Sequence, residues 1–215
     1  ELRSKVSEAF WNDITHFEGN ANAFRLLTHR YKGRRNGGFV MTYTMLSSIV
    51  KYPFSSSHEA CHGKFGFFHS EAESYRKIAD ELGINCLSAP GEPLRYARHP
   101  LVYLVEAADD ICYEVMDIED AYKLKILSYA ETEELLLGFF DEETREGIRR
   151  RVIDEGVTDV NERVVYMRAC AIGKLENECV KVFVDYEDEI LAGTFEGSLI
   201  SHISSACSEA YKRCA

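Results

Sequence analysis

Residues 98–120, Arg-His-Pro-Leu-Val-Tyr-Leu-Val-Glu-Ala-Ala-Asp-Asp-Ile-Cys-Tyr-Glu-Val-Met-Asp-Ile-Glu-Asp, constrain the fold more than any other stretch of the chain. Their apolar positions recur with the helical period, and Pro100 suits a first helical turn, where a missing N–H is no loss. A helix here carries an apolar stripe of Leu101, Leu104, Val105, Ala108, Ile111, Cys112 and Val115, with Tyr103, Glu106, Asp110 and Glu114 on the opposite, wet face. Asp109 falls at the edge of the stripe expected to be buried, where an ionised carboxylate is costly unless a cation or a set of donors meets it. Asp109, Tyr113 and Asp117 follow one another at i, i+4 and i+8. One strip of helix thus presents a carboxylate, a phenol and a second carboxylate in line. Such a strip can address a metal at one end and a small ligand along its length.

Nearly every other periodic segment is helical too. Helices are expected over 20–32, with Ala23, Phe24 and Leu27 inward and a stop at Gly33 and the Asn36-Gly37-Gly38 turn, and over 39–51, ended by Pro53. Further helices are expected over 70–82 with Gly83 as stop, 131–139, 141–155, 158–178, and again after Gly197. Residues 53–69 and the Pro90, Gly91, Pro93 stretch read as loops. The β-branched run 180–186 fits either a strand or a continuing helix. The class is all-α. No repeat, low-complexity segment or internal boundary stands out, so 1–215 is expected to form a single helical domain.

Bulk properties exclude several classes. At 215 residues and 46% apolar content the chain is long enough to bury a core. It has no uncharged apolar run of about 18 residues, so no membrane-spanning helix is expected. A formal net charge of −11 opposes strong nucleic-acid binding. Local basic patches at 25–35 and 149–151 read as solvated helix faces. The seven cysteines are an odd number without a Cys-x-x-Cys pair, which suits reduced thiols and a cytoplasmic setting. The start, Glu-Leu-Arg-Ser-Lys, has neither an initiator Met nor a signal pattern, so the chain is expected to be a piece of a larger all-helical protein.

His58-Glu59-Ala60-Cys61-His62 matches a zinc-hydrolase pattern, in which two His at i, i+4 share one metal and the Glu acts as general base. That chemistry needs a helix. Pro53 and three serines before it, and Gly63 and Gly66 after it, favour ordinary loop histidines.

Four blocks, in order, resemble the HD-domain deoxynucleoside triphosphate triphosphohydrolases, the dGTPase family. They are His16-Phe17-Glu18-Gly19-Asn20-Ala21; Thr42-Tyr43-Thr44 leading to Lys51-Tyr52-Pro53; Gly63-Lys64-Phe65-Gly66-Phe67-Phe68-His69-Ser70-Glu71; and the run 98–120. They span residues 11–120, while 121–215 matches only in general character, as a C-terminal helical extension. The resemblance implies an HD-like helical bundle that cleaves a dNTP, dGTP by family default, to the deoxynucleoside and inorganic triphosphate. It also implies Mg²⁺ or Mn²⁺ as cofactor, a homo-oligomer such as a hexamer, and in some members a dNTP activator.

By the same resemblance Asp109 is the last metal ligand, where the residues alone equally allow an ion pair with Arg95 or Arg98. Tyr113 is the tyrosine beneath the deoxyribose, and Asp117 the acceptor of the sugar 3′-hydroxyl. Lys51 and Lys64 are the phosphate lysines, as a triphosphate needs cationic donors beyond a metal. Asn20 is expected near the nucleotide, with helix capping as its plainer role. Asn22 stands where the family usually has Gln. The upstream His, the His-Asp doublet and the general-acid His and Glu have no counterpart, so the catalytic residues are expected upstream of Glu1. The competing reading is a non-catalytic nucleotide-binding regulatory or assembly module.

Overall fold

The computed structural model describes residues 2–33, 38–58 and 61–214. Its ten described α-helices are α1 (Glu8–Thr15), α2 (Gly19–Thr28), α3 (Tyr43–Ser48), α4 (Ala72–Leu82), α5 (Pro100–Lys123), α6 (Tyr129–Leu137), α7 (Glu142–Asp154), α8 (Val160–Asp185), α9 (Glu187–Ala192) and α10 (Ser205–Cys214). Among the described residues there is no strand, only isolated bridges. The all-α expectation holds. No described helix is long and apolar enough to cross a membrane, and all seven cysteines are free thiols.

The chain divides into two compact units. The first comprises residues 1–105 and 188–195, the second 106–187 and 196–215.

In the first unit, α4 turns Tyr75, Ile78 and Ala79 inward at helical spacing and stops at Gly83, whose left-handed φ of 66° only glycine adopts without strain. These residues pack with Phe24, Leu46, Val50, Phe67 and Tyr96. Tyr75 stacks on Phe67 at 4.7 Å and meets Phe24 and Tyr96 edge-on. The described residues between 53 and 68 form no α-helix or strand, as expected, and a 3-10 turn covers His69–Glu71. Two helices are shorter than their apolar patterns. α2 ends at Thr28, and it buries Ala21 and Phe24 while Ala23 is exposed. α3 begins only at Tyr43, because Val40 takes a left-handed φ of 57° and Thr42 caps the helix by accepting from the Met45 N–H. Residues 36 and 37 of the expected turn, and Arg34 and Arg35 of the basic patch, lie outside the described residues.

In the second unit, α8 runs on through residues 180–185. Its buried stripe of Val164, Met167, Ala171, Leu175, Cys179 and Val182 keeps helical spacing to the end, and the β-branched Val180 and Val184 face outward. The 180–186 run is therefore helix through Asp185, with Tyr186 as its C-cap. The Glu178 carboxylate on α8 accepts from Lys174 at 2.8 Å and from the Ser204 N–H, just before α10, at 3.1 Å. The lysine bond first, then Ser204, holds this carboxyl down at about 2 against an ordinary 4.5. A carboxyl depressed on folding stabilises above its unfolded pKa and loses that contribution as pH falls through the folded value. Glu178→Gln should therefore flatten the stability profile between pH 4.5 and about 2, as read by urea unfolding at stepped pH.

Candidate functional site

The candidate residues lie in both units, and each set is built by its own local chemistry. In the second unit, α5 buries Ala107, Ile111, Val115 and Ile118. That stripe is rotated from the one expected. Leu101, Leu104, Val105, Ala108 and Cys112 are exposed, and of the expected wet face Tyr103 is buried. The reason is a hydrogen bond. The Tyr103 hydroxyl donates to the Phe195 carbonyl at 2.9 Å, and its ring lies edge-on to Phe195, so the phenol is satisfied inside. A helix apolar on most of its circumference gives periodicity too little contrast to choose the inner face.

Asp109 is consequently not at a buried margin. It is exposed, and its carboxylate makes no hydrogen bond or ion pair with any described residue. Tyr113 is 69% exposed, and Asp117 is exposed too. The in-line strip itself stands: the three residues share one face of the continuous helix, each about 6 Å along the axis from the next. Its field is negative. Burial first, then Asp117 and Asp110, push the Glu114 carboxyl upward.

In the first unit, Glu18 caps α2. Its carboxylate accepts the backbone N–H groups of Asn20 at 2.5 Å and Ala21 at 3.1 Å, and the Asn20 side-chain amide donates to it at 2.9 Å. Asn20 is thus the second residue of the helix, not its cap. The Lys64 ammonium stands 3.8 Å from the same carboxylate. Lys51 is half-buried, with its ammonium over the Tyr52 ring at 5.9 Å. Gly66 brings the two lysine segments together. A Cβ there would lie 2.3 Å from the Tyr52 carbonyl oxygen and 2.4 Å from Val50, so only glycine lets residues 64–66 cross 50–52 so closely. The Gly66 N–H donates to the Phe54 carbonyl at 3.1 Å, which fixes the crossing. Glu18 had no role in the sequence reading. An acid immediately before Gly19-Asn20 and the helical run was the available signal.

The zinc-hydrolase pattern fails on geometry. His58 lies in a bend and His62 takes a positive φ of 34°, so neither described histidine sits in α-helical backbone. Glu59 lies outside the described residues. No group of three or more His, Cys, Asp or Glu that could hold a metal ion exists among the described residues. A hard divalent cation takes six or more oxygen ligands, several of them from protein at a catalytic site. The described residues therefore do not by themselves fit Mg²⁺ or Mn²⁺, and Asp109 offers one ligand only.

No family model matches the chain. It is 39% identical over 204 residues to a deoxyguanosinetriphosphate triphosphohydrolase-like protein of Pseudomonas aeruginosa (strain LESB58), covering 93% of this chain and 44% of that protein. It is 34% identical over 197 residues to a protein of the same name in Synechocystis, covering 87% of the chain and 42% of the relative. A deoxyguanosinetriphosphate triphosphohydrolase of Yersinia enterocolitica is 28% identical over 224 residues, 96% of the chain and 41% of the relative. Over this shared length the chain belongs to the deoxyguanosinetriphosphate triphosphohydrolase family. It spans less than half the length of these relatives.

Proposed function

We propose that the protein hydrolyses a deoxynucleoside triphosphate, dGTP first among them, to the deoxynucleoside and inorganic triphosphate. Water attacks the α-phosphorus, the bond to O5′ breaks, and the triphosphate leaves intact while O5′ takes a proton. The observation that carries this reading is the 39% identity, over 93% of the chain, to a relative named deoxyguanosinetriphosphate triphosphohydrolase-like protein, with the Asp109–Tyr113–Asp117 strip on α5 beside it. By the family resemblance, Tyr113 and Asp117 of the second unit take the sugar roles, at the 2′-position and the 3′-hydroxyl; in the first unit, taken by itself, Lys51 and Lys64 take the phosphate role, with Asn20 beside Lys64. Asp109 contributes one ligand to Mg²⁺ or Mn²⁺, and the rest of that set and the general acid come from outside the described residues. The metal, when bound, supplies charge neutralisation at the phosphates. We further propose that the protein works as a homo-oligomer, that a dNTP activator regulates it as in some members, and that it acts in the cytoplasm.

Titration calorimetry of the full-length protein with dGTP and with GTP, each with Mg²⁺ and with EDTA, tests the reading. Preference for dGTP with turnover in Mg²⁺ supports it. Metal-independent binding without turnover identifies a regulatory module instead. Tyr113→Ala is expected to reduce the preference for dGTP over GTP by about tenfold, as one steric wall typically contributes. An unchanged ratio would place the sugar elsewhere.

A further inference from the structure

Glu18 is unusual for a cap because it is a carboxylate only 4% exposed. Its backbone donors, Asn20 N–H and Ala21 N–H, satisfy the buried charge whatever Lys64 does. Those N–H groups are spent on Glu18, so the start of α2 has them no longer to offer an anion. The Lys64 side chain, by contrast, is 63% exposed and only skirts the carboxylate at 3.8 Å, and the Asn20 amide is held on the same carboxylate at 2.9 Å.

We propose that Glu18 is a positioning residue for triphosphate recognition. It holds the Asn20 amide beside α2 and draws the exposed Lys64 ammonium towards the same carboxylate, so that both meet the phosphates together. The inference rests on the phosphate role proposed for Lys64, and its sign separates it from a plain charge effect. A carboxylate beside an anion site repels the anion, so on charge alone neutralising Glu18 tightens binding. Positioning predicts the reverse, because the ammonium is released to roam.

The experiment is titration of the full-length protein with inorganic triphosphate, paired with thermal unfolding. Glu18→Gln keeps an oxygen for the α2 N–H groups and should weaken binding about three- to tenfold. Lys64→Met should weaken it more, and the double variant should lose less than the product of the two single losses, the remaining Glu18→Gln effect being that of the released Asn20 amide. Glu18→Asp, which keeps the charge on a shorter arm, should fall between wild type and Glu18→Gln, and it carries the comparison if Glu18→Gln does not fold. Unchanged or tighter binding by Glu18→Gln overturns the proposal, as does an equal loss in the Lys64→Met background, which marks a merely structural role. If Lys64→Met weakens binding and Glu18→Gln does not, positioning alone fails. If the wild type does not bind triphosphate, the phosphate reading fails and positioning with it.

Discussion

Asp109→Asn should lower triphosphate release from dGTP by more than about a hundredfold while leaving the protein's unfolding midpoint nearly unchanged. Loss of a group that merely supports a metal ligand typically costs about 10- to 100-fold, so loss of a ligand itself should exceed that. The stability side follows from the structure. Asp109 is exposed and its carboxylate is bonded to no described residue, and surface changes of this kind usually stay within about 0.5 kcal/mol. A large kinetic loss beside a silent melt is the signature of a residue kept for chemistry. Parallel losses in both would make Asp109 a structural acid, and full activity would remove it from the site. Steady-state kinetics and calorimetry on the same preparation decide between these.

Arg168→Met is the largest expected change in stability. Glu119 on α5 is 3% exposed and is held by Arg168 of α8 and by Lys123, the latter at 2.6 Å. Burial pushes its carboxyl up, but the hydrogen bonds from Lys123 and Arg168 outweigh that and hold it below the ordinary range. Breaking a buried pair from one side commonly costs about 3–5 kcal/mol because a charge is left stranded. Lys123 remains, so the loss should be about 2–3 kcal/mol, or roughly 4–12 °C in midpoint for a chain of this size. The sign with pH is fixed by the depressed carboxyl. The pair stabilises above the unfolded carboxylate pKa, and its contribution disappears as pH falls through the folded value. The penalty of Arg168→Met should therefore shrink in acid. Adding Glu119→Leu should restore most of the loss, since an apolar pair of similar volume strands no charge.

What the sequence disclosed and what it hid divide along physical lines. α4 and its Gly83 stop were legible, because a strongly two-faced helix ending on a left-handed glycine is written locally. The length of α8 was half legible: only the burial of Cys179 and Val182 shows that helix overrides the β-branched run. α1 was missed, being eight residues long with no fully buried position and a Ser7 cap as its main mark. The strip on α5 was legible as spacing but not as exposure, since Leu101, Leu104 and Val105 look as apolar as the residues that are buried. Lys51 and Lys64 came from motif blocks. The crossing of their segments depends on Gly66 against Tyr52, a contact across the chain that no local period encodes.

The most direct measurement is the phosphorus spectrum of products formed when the full-length protein is incubated with dGTP and Mg²⁺. Inorganic triphosphate appearing in step with deoxyguanosine is the result this account predicts. Pyrophosphate or orthophosphate as the first product would contradict it, because the bond broken would not be the one between the α-phosphorus and O5′.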